Sequence, residues 1–453
     1  MSHLEAAQPH SRPTQAPNIV FVLADDLGYA DLGCYGGRQA AFGPVSPCLD
    51  AMAAQGMQFM QAYSNSPVCS PTRFALMTGR YQYRLRGAAE EPLTRRSGSN
   101  PELIGLPPEH PTLPSLLRAQ NYRTALIGKW HLGYPPNFGP LLSGYDEFFG
   151  PISGAVDYFS YLSFEGSRDL MDGSEPAQAQ GYLTDVITDR ACDFINRQTG
   201  AQPFMLSVHY TAPHWPWETR DDEEESKRVG TNIHHVDGGS LPVYQRMIHH
   251  MDEGIGRILK TLRDQGLDDN TLVVFTSDNG GERFSDTWPF VGKKMDLLEG
   301  GLRVPLIARW PGQIAPGGKS QQQMMTMDWM PTLLAAAGAQ AHPDYPLDGI
   351  SMLPHLRNPH VLCARPMFWR MKYRSQWAAI DGVWKYLKLD GHEFLFNIET
   401  DARERANLCA REPERLEAMR TKYLEWAATM PGIPDDANYT LVYGPATMAS
   451  ASG

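Results

Sequence analysis

Two apolar stretches rich in β-branched residues constrain the fold of this 453-residue chain more than any other feature. Residues 18–24 and 271–276 are almost continuously apolar, which is typical of strands that are covered on both faces of a largely parallel sheet. Around them, the sequence predicts helices over 49–55, 113–120, 183–198 and 243–265, and further strands over 203–210 and 304–310. This alternation predicts an α/β fold with a large, mainly parallel central sheet and helices on both faces.

The pattern changes beyond Trp329, which suggests a second, smaller domain. An Ala-rich helix over 332–337 leads into a Pro-containing stretch, 341–356, that is typical of a linker. Strands over 367–380 and 383–389, joined by a turn at Asp381-Gly382, and a helix over 413–428 predict a small α+β domain. We therefore divide the chain into a polar N-terminal tail (1–16), a large α/β domain (17–340), a linker region (341–364) and a C-terminal α+β domain with a polar tail (365–453).

Composition excludes several classes of partner. The net charge of −11, without a long basic block, argues against nucleic-acid binding. The apolar run 19–23 is too short to cross a bilayer, and we see neither a secretory signal nor an anchor, so we expect no membrane association. Six scattered cysteines without metal-ligand spacing fit a reducing cytoplasm, where we expect the protein to reside. The charged cluster 221–227 is interpreted as a solvated loop.

Acidic and amide side chains follow directly after both apolar runs. Asp25 and Asp26 come after the first run, and Asp278 and Asn279 come after the second. Open α/β sheets bind ligands at the carboxyl ends of their strands, so these two distant segments are expected to converge there. Three carboxylates and an amide oxygen suit Ca²⁺ or Mg²⁺ rather than zinc. The alternative is that each pair only caps the helix that follows it.

A cysteine opens one of the helical patterns. In the run Cys69-Ser70-Pro71-Thr72-Arg73, the proline stands at a position that the first helical turn tolerates. Cys69 then lies at the positive end of the helix, where free backbone N–H groups favour a negative charge or a bound anion. Taken alone, such a cysteine is more often a small buried thiol.

The stretch from Cys69 to Arg80 resembles the signature of the type I sulfatases, which belong to the alkaline phosphatase superfamily. Further similar stretches are Pro17-Asn18-Ile19-Val20, Asp25-Asp26-Leu27-Gly28, Gly128-Lys129-Trp130-His131-Leu132-Gly133, Ala212-Pro213-His214, Ser277-Asp278-Asn279-Gly280, Lys294 before Glu299-Gly300-Gly301, and Asp381-Gly382-Val383-Trp384-Lys385-Tyr386. The resemblance spans nearly the whole chain. It implies an alkaline phosphatase-like fold in which the domain 17–340 is catalytic.

The resemblance also implies that Cys69 is the precursor of formylglycine, because the family oxidises its signature cysteine to this aldehyde. One hydroxyl of the hydrated aldehyde attacks sulfur and expels the alcohol or phenol. The second hydroxyl lets the sulfated hydrate collapse to the aldehyde and release sulfate. A serine performs only the first step easily, so the second oxygen provides the exit route. A formylglycine-generating maturation enzyme is then an expected partner.

By the same resemblance, the functional side chains divide into a metal set and a catalytic set. The residues that hold a divalent cation, usually calcium in this family, are Asp25, Asp26, Cys69, Asp278 and Asn279. The catalytic residues are Cys69, Arg73, Lys129, His131, His214 and Lys294. The cationic side chains neutralise the hydrate and the sulfate oxygens. His131 assists collapse of the hydrate, and His214 faces the ester oxygen, a task that Lys294 can share.

Several other residues of the sequence are possible members of the site. Lys293 adjoins Lys294, but the spacing to Glu299 favours Lys294. The pairs 234–235 and 249–250 are histidines without companion ligands, and they receive no role. Four residues are candidates for the walls of the substrate pocket, with packing of long loops as the alternative: Asp157, Tyr158, Trp215 and Trp217.

The leading hypothesis is hydrolysis of an organic sulfate monoester, either a small-molecule ester or a saccharide ester. The first alternative is a phosphonate monoester or phosphodiester hydrolase of the same superfamily. The second is a protein that binds anions or sugars with an unconverted Cys69. The motifs identify neither the alcohol part of the ester nor the oligomeric state.

Overall fold

The structure, a computed structural model, describes residues 16–36, 43–85, 93 and 105–434. Its helices are α1 (Pro47–Gln55), α2 (Cys69–Thr78), α3 (Leu113–Arg118), α4 (Leu183–Asn196), α5 (Glu223–Val229), α6 (Leu241–Asp264), α7 (Glu299–Leu302), α8 (Trp329–Ala337), α9 (Leu353–Arg357) and α10 (Pro413–Ala428). Its strands are β1 (Asn18–Ala24), β2 (Met57–Tyr63), β3 (Arg123–Gly128), β4 (Glu147–Gly150), β5 (Met171–Asp172), β6 (Glu175–Pro176), β7 (Phe204–His209), β8 (Thr271–Ser277), β9 (Leu306–Arg309), β10 (Gly318–Met325), β11 (Met367–Met371), β12 (Gln376–Asp381), β13 (Trp384–Leu389) and β14 (His392–Asn397).

The ten-stranded central sheet confirms the predicted fold class. Its strand order is β10-β2-β9-β8-β1-β7-β3-β4-β5-β6, and β1 pairs in parallel with both β7 and β8. The two apolar runs that carry the prediction are therefore neighbours at the centre of the sheet. Their register aligns Ala24 with Ser277, which brings the acidic residues after each strand to the same edge.

Alternate residues of β1 enter two separate layers of the core. Val20 and Val22 belong to the hydrophobic cluster that contains α1, α4 and α6, whereas Ile19 and Phe21 belong to the cluster that contains α3 and α8. Helices thus cover both faces of the sheet, and this arrangement explains why the strand has no polar alternation. The rigid central strands fix the position of the loops that follow them.

One of the strands that the sequence predicts runs opposite to most strands of the sheet. The predicted strand over 304–310 forms β9, which pairs antiparallel with both β8 and β2. Because β9 is the next strand after β8 along the chain and lies beside it, the chain returns directly rather than through a full crossover helix.

The C-terminal part forms the predicted small α+β unit, with a corrected strand boundary. A four-stranded antiparallel sheet, β11-β12-β13-β14, packs with α10 in one hydrophobic cluster. The strand expected over 367–380 is two strands, because a short 3₁₀ turn at Tyr373–Ser375 reverses the chain, with Arg374 at φ 58°. The stretch 341–356, which the sequence predicts to be a linker, is not entirely irregular, because the helix α9 begins within it. The exact domain division stays a prediction.

The prediction of a loop over the charged cluster 221–227 is wrong, since most of the cluster lies in the helix α5. Ion pairs between residues three apart, such as Arg228 with Glu225, support this short helix. Its charged side chains are mostly exposed, as expected of a solvated surface. None of the helices in the described part of the chain is long and apolar enough to span a membrane. The cytoplasmic location stays a prediction.

Candidate active site

The acidic residues after β1 and β8 converge at the carboxyl edge of the sheet. The backbone N–H of Asp26 donates to Oδ1 of Asp278 at 3.2 Å, and Nδ2 of Asn279 donates to Oδ1 of Asp26 at 2.7 Å. Asp26 has a left-handed backbone, with φ 63°, so the chain turns sharply at this point. These side chains, with that of Asp25, are fully buried.

The thiol of Cys69 lies against this group at the start of α2. Its Sγ lies within 4.8 Å of a carboxylate oxygen of Asp25, a carboxylate oxygen of Asp26 and a ring nitrogen of His214. The residue before the helix, Val68, provides no side-chain cap, so the backbone N–H groups of the first turn remain available to an anion. Sγ is bonded to Cβ at a position that one hydroxyl oxygen of a formylglycine hydrate would take.

Each of the three buried carboxylates is paired with one cationic side chain. Arg73 donates through Nε to Asp278 at 3.0 Å. Lys129 Nζ lies 2.5 Å from Asp25, and Lys294 Nζ lies 2.7 Å from Asp26. The structure therefore brings together the predicted cations with the predicted acidic set, and it distinguishes Lys294 from its neighbour Lys293.

The pairing leaves the carboxylates in different electrostatic states. Burial and the negative charge of Asp278 raise the pKa of Asp25 to about 8, despite the opposing effect of Lys129. Burial also acts to raise the pKa of Asp26, but the charge of Lys294 and the hydrogen bonds from Lys294 and Asn279 outweigh it and hold this pKa at about 2. Asp26 is therefore ionised at neutral pH, whereas burial and a like charge oppose the ionisation of Asp25.

The donor set fits a hard divalent cation. Oδ1 of Asp25 and Oδ1 of Asn279 are buried and have no hydrogen-bond partner among the described residues. Such oxygens are rarely left without a partner, and a cation would satisfy both. Carboxylate and amide oxygens from two loops are the ligands that Ca²⁺ and Mg²⁺ prefer.

His214 lies at the mouth of this group with its ring oriented by the backbone. Its Nδ1 donates to the carbonyl oxygen of Trp215 at 2.7 Å, which leaves Nε2 toward Lys294 at 3.2 Å and Asp26 at 3.4 Å. Burial and the charge of Lys294 lower the pKa of His214. A neutral imidazole beside a lysine ammonium can accept and pass on a proton at Nε2.

The ring of His131 is also held by a backbone carbonyl group. Its Nε2 donates to the carbonyl oxygen of Leu93 at 2.7 Å, and its Nδ1 is buried without a partner among the described residues. Burial and the charges of Lys129 and Arg73 hold the pKa of His131 well below its ordinary value. The imidazole is therefore neutral and keeps Nδ1 ready to accept a proton.

One residue adds to the predicted set, and one of the pocket-wall candidates lies beside it. His209, at the end of β7, lies with Nδ1 3.3 Å from Arg73 Nη1 and was missed, although its place at the end of a buried strand is a usable signal. Trp215 lies in ring contact with His214, with centroids 3.9 Å apart, as a pocket wall would.

The remaining candidates support the loops rather than face the reacting group. The hydroxyl of Tyr158 donates to the carbonyl oxygen of His214, Asp157 accepts from Ser226, and Trp217 is buried beneath Arg283.

The fold and this site define a class of protein: a hydrolase of anionic esters with an α/β fold, in which a buried thiol at a helix N-terminus lies beside an acidic cluster that fits a cation. A family model described as Sulfatase matches residues 17–339. The chain belongs to this family, within the alkaline phosphatase superfamily, and is a sulfuric ester hydrolase.

Individual relatives support the same assignment. N-acetylgalactosamine-6-sulfatase of Homo sapiens is 35% identical over 373 residues, which cover 78% of this chain and 68% of that protein. Steryl-sulfatase of Mus musculus is 31% identical over 438 residues, which cover 78% of this chain and 66% of that protein. Among solved structures, Ps i-CgsB in complex with k-i-k-neocarrahexaose has a TM-score of 0.80 and 30% identity, and the match covers 94% of this chain and 95% of that one.

These relatives do not favour the phosphonate monoester or phosphodiester alternative. Membership of the family implies a metal ion and a formylglycine, and the buried cluster of Asp25, Asp26, Cys69 and His214 is compatible with both.

Proposed function

We propose that this chain hydrolyses sulfate monoesters of saccharides and that residue 69, converted from cysteine to formylglycine, is the nucleophile. The observation that carries the proposal is the convergence of Cys69 Sγ with two carboxylates and with His214 inside 4.8 Å. A buried thiol with only a packing role does not need a surrounding set of three acids and three cations. The saccharide assignment is supported by relatives whose names specify sulfated or sugar ligands, as in N-acetylgalactosamine-6-sulfatase.

In this proposal, five side chains hold the cation: Asp25, Asp26, Asp278, Asn279 and residue 69. All four unmodified ligands offer oxygen, which suits Ca²⁺ and Mg²⁺ alike. We assign Ca²⁺ because it is the usual ion of this family, with Mg²⁺ as the second candidate. When bound, the ion supplies positive charge that polarises the sulfate group and lowers the pKa of the hydroxyl at position 69.

The other residues act on the charge and the protons of the reaction. Arg73 and Lys129 orient the sulfate and balance its charge, since both are buried beside residue 69. Lys294 and Nε2 of His214 hold the proton that the departing alcohol oxygen takes up. His131, neutral and with a free Nδ1, accepts the proton that must leave residue 69 when sulfate is released.

A substrate panel tests the reaction and the nucleophile together. Protein with a measured fraction of converted Cys69 is assayed with Ca²⁺ on 4-nitrophenyl sulfate, N-acetylgalactosamine 6-sulfate and bis(4-nitrophenyl) phosphate, beside the Cys69→Ala variant. We expect kcat/KM to be highest for a sulfate ester and to be lost in the variant. A higher kcat/KM for the phosphodiester, or an equal rate in the variant, contradicts the proposal.

The identity of the cation is tested by binding as well as by rate. We expect Ca²⁺ to raise the Tm of the chelator-treated protein more than Mg²⁺ does, and Asp278→Asn to remove that difference. A larger shift with Mg²⁺ overturns the calcium assignment and leaves the rest of the proposal intact.

A further inference from the structure

Three aromatic rings from distant segments form a continuous surface that starts at the catalytic histidine. We call Phe164, Trp215 and His234 the aromatic wall. Centroid distances are 4.7 Å between Trp215 and His234, 4.5 Å between His234 and Phe164, and 5.3 Å between Phe164 and Trp215. Lys294 Nζ lies 5.8 Å from the centroid of the Trp215 ring. The wall is therefore adjacent to the place where the ester oxygen must lie.

Exposure increases along the wall, away from the catalytic residues. Trp215 is 5% exposed, which is similar to the 5% of Lys294, whereas Phe164 is 37% exposed. Phe164 is presented by a tight turn, in which Ser163 N–H donates to the carbonyl oxygen of Ser167 at 2.9 Å. The wall thus connects the buried sulfate-binding pocket with the protein surface.

Two polar atoms of the wall, Nε1 of Trp215 and Nδ1 of His234, are buried and have no hydrogen-bond partner among the described residues. Burial, with the charges of Lys294 and Arg283, lowers the pKa of His234 to about 4, so its ring is neutral at neutral pH. A neutral imidazole offers one N–H donor and one nitrogen acceptor.

Charge near the wall also suits an anionic ligand. The guanidinium of Arg283 lies 4.4 Å from the centroid of Trp217 and donates to the carbonyl oxygen of His235, the residue after His234. Together with Lys294, it gives the wall two cationic neighbours. A polar ligand with an apolar face and a negative group matches this combination of flat rings, free nitrogen atoms and positive charge.

Sugars have this chemistry, because a pyranose presents C–H groups on its faces and hydroxyl groups at its rim. We propose that the aromatic wall is a saccharide-binding surface, on which Trp215 and His234 contact the sugar that bears the sulfate and Phe164 contacts the next sugar of the chain. This inference rests on the proposed function and refines it, because it assigns the substrate as a saccharide of at least two rings.

The test compares one sulfated sugar in two lengths. KM and kcat are measured for N-acetylgalactosamine 6-sulfate alone and as the non-reducing end of a disaccharide, with Phe164→Ala, Phe164→Leu and the native protein. We expect Phe164→Ala to raise KM for the disaccharide about fivefold relative to KM for the monosaccharide, because a stacked ring contributes on that scale. Phe164→Leu keeps apolar volume without a flat ring, so we expect it to resemble Phe164→Ala.

The control is Leu362→Ala, which truncates another exposed apolar side chain, 60% exposed, in a segment away from the wall. We expect it to leave both KM values unchanged. An unchanged KM ratio in both Phe164 variants overturns the proposal, and so does native protein that hydrolyses 4-nitrophenyl sulfate but neither saccharide. An unchanged KM ratio leaves the proposed function intact. Activity on 4-nitrophenyl sulfate alone leaves the sulfatase reaction intact but removes its assignment to saccharides. Converted protein that hydrolyses none of the three esters contradicts the proposed function as a whole.

Discussion

The charged residues of the site form three buried ion pairs, and this pairing explains how so many charges coexist. Asp25, Asp26 and Asp278 are each held by a different cation, at 2.5 to 3.0 Å. Removing one member of such a pair leaves an uncompensated buried charge, which costs more than an exposed pair would. The same arrangement keeps the side chains in place before a substrate arrives, so little reorganisation is needed during the reaction.

A buried pair of carboxyl groups behind His214 predicts a pH effect on stability. Burial and the adjacent charge of Asp157 raise the pKa of Glu218 to about 10, with Asp222 contributing in the same direction and the N–H of Tyr158 opposing it. The native protein therefore keeps a proton that the unfolded chain releases above about pH 4.5. The resulting stabilisation is full below that pH and declines as the pH rises toward 10.

Glu218→Gln keeps the shape of the side chain but removes this proton equilibrium. Between pH 5 and 9, we expect the free energy of unfolding of the native protein to fall relative to that of the variant, by on the order of 1 kcal/mol per pH unit. Urea denaturation at several pH values measures the difference. Parallel curves for the two proteins would show that Glu218 ionises normally.

At the scale of elements, apolar patterns predicted strands and helices well, whereas a strand made of polar residues could not be predicted. The predicted bounds of the strands β1 and β8 and of the long helix α6 are close to the observed ones. A single hydrophobic pattern extends over almost the whole of each element. The edge strand β10 has the sequence GKSQQQMM, and its run of three glutamines gave no strand signal. The direction of β9 depends on which neighbour it pairs with, and local sequence does not encode this choice.

The loop that carries Lys294 is held by the small C-terminal sheet. Gln376, at the start of β12, donates through Nε2 to the carbonyl oxygen of Met295 and accepts from the N–H of Leu297, both at 2.8 Å. Met295 has φ 78°, a conformation that is unfavourable for its side chain and needs support from its surroundings. Gln376 is therefore a positioning residue for Lys294.

We expect Gln376→Leu to lower kcat for sulfate esters about tenfold, because a small displacement of Lys294 disturbs the geometry of the reaction. Gln322→Leu provides a matched control. The amide of Gln322 also holds a backbone segment by two hydrogen bonds, one from the N–H of Cys363 and one to its carbonyl oxygen. Both substitutions should reduce stability, by about 2 kcal/mol. Equal losses of kcat in the two variants would mean that the effect is only destabilisation.

At the scale of the whole molecule, a buried charge network joins the small sheet to the catalytic part. Lys385 of β13 lies 3.0 Å from Glu299 of α7 and 2.8 Å from Glu404, and all three side chains are inaccessible to solvent. Tyr63 of β2 donates to Glu299 at 2.9 Å. Glu299 thus links the two sheets, because it contacts Tyr63 of the central sheet and Lys385 of the small sheet.

Lys385→Met should lower the free energy of unfolding by about 3 kcal/mol, because it leaves two buried carboxylates without their shared cation. Adding Glu404→Gln removes one of those charges, so the double variant should recover part of the loss. Urea denaturation of the single and double variants measures both changes. A double variant that is less stable than Lys385→Met would contradict the network.

The composition of the site was more predictable than its surroundings. The spacing of short motifs indicated the acidic set, and the register of β1 with β8 supplies the reason, because both strands end at the same edge. His209 and His234 come from stretches without a motif, and only the packed fold brings them near Arg73 and Trp215. The sequence places His209 at the end of a buried strand, but it gives no signal for the contact of His234 with Trp215, which depends on the packing of distant loops.

The most direct test of the central claim relates activity to the chemical state of Cys69. Preparations with different degrees of conversion are made by varying the supply of the maturation enzyme, and mass spectrometry measures the fraction that has lost about 18 Da, the thiol-to-aldehyde difference for a formylglycine nucleophile. The account predicts that kcat for a sulfate ester, per mole of total protein, rises in proportion to that fraction and extrapolates to zero for unconverted thiol. Activity that is independent of the fraction, or that remains in Cys69→Ala, would contradict it.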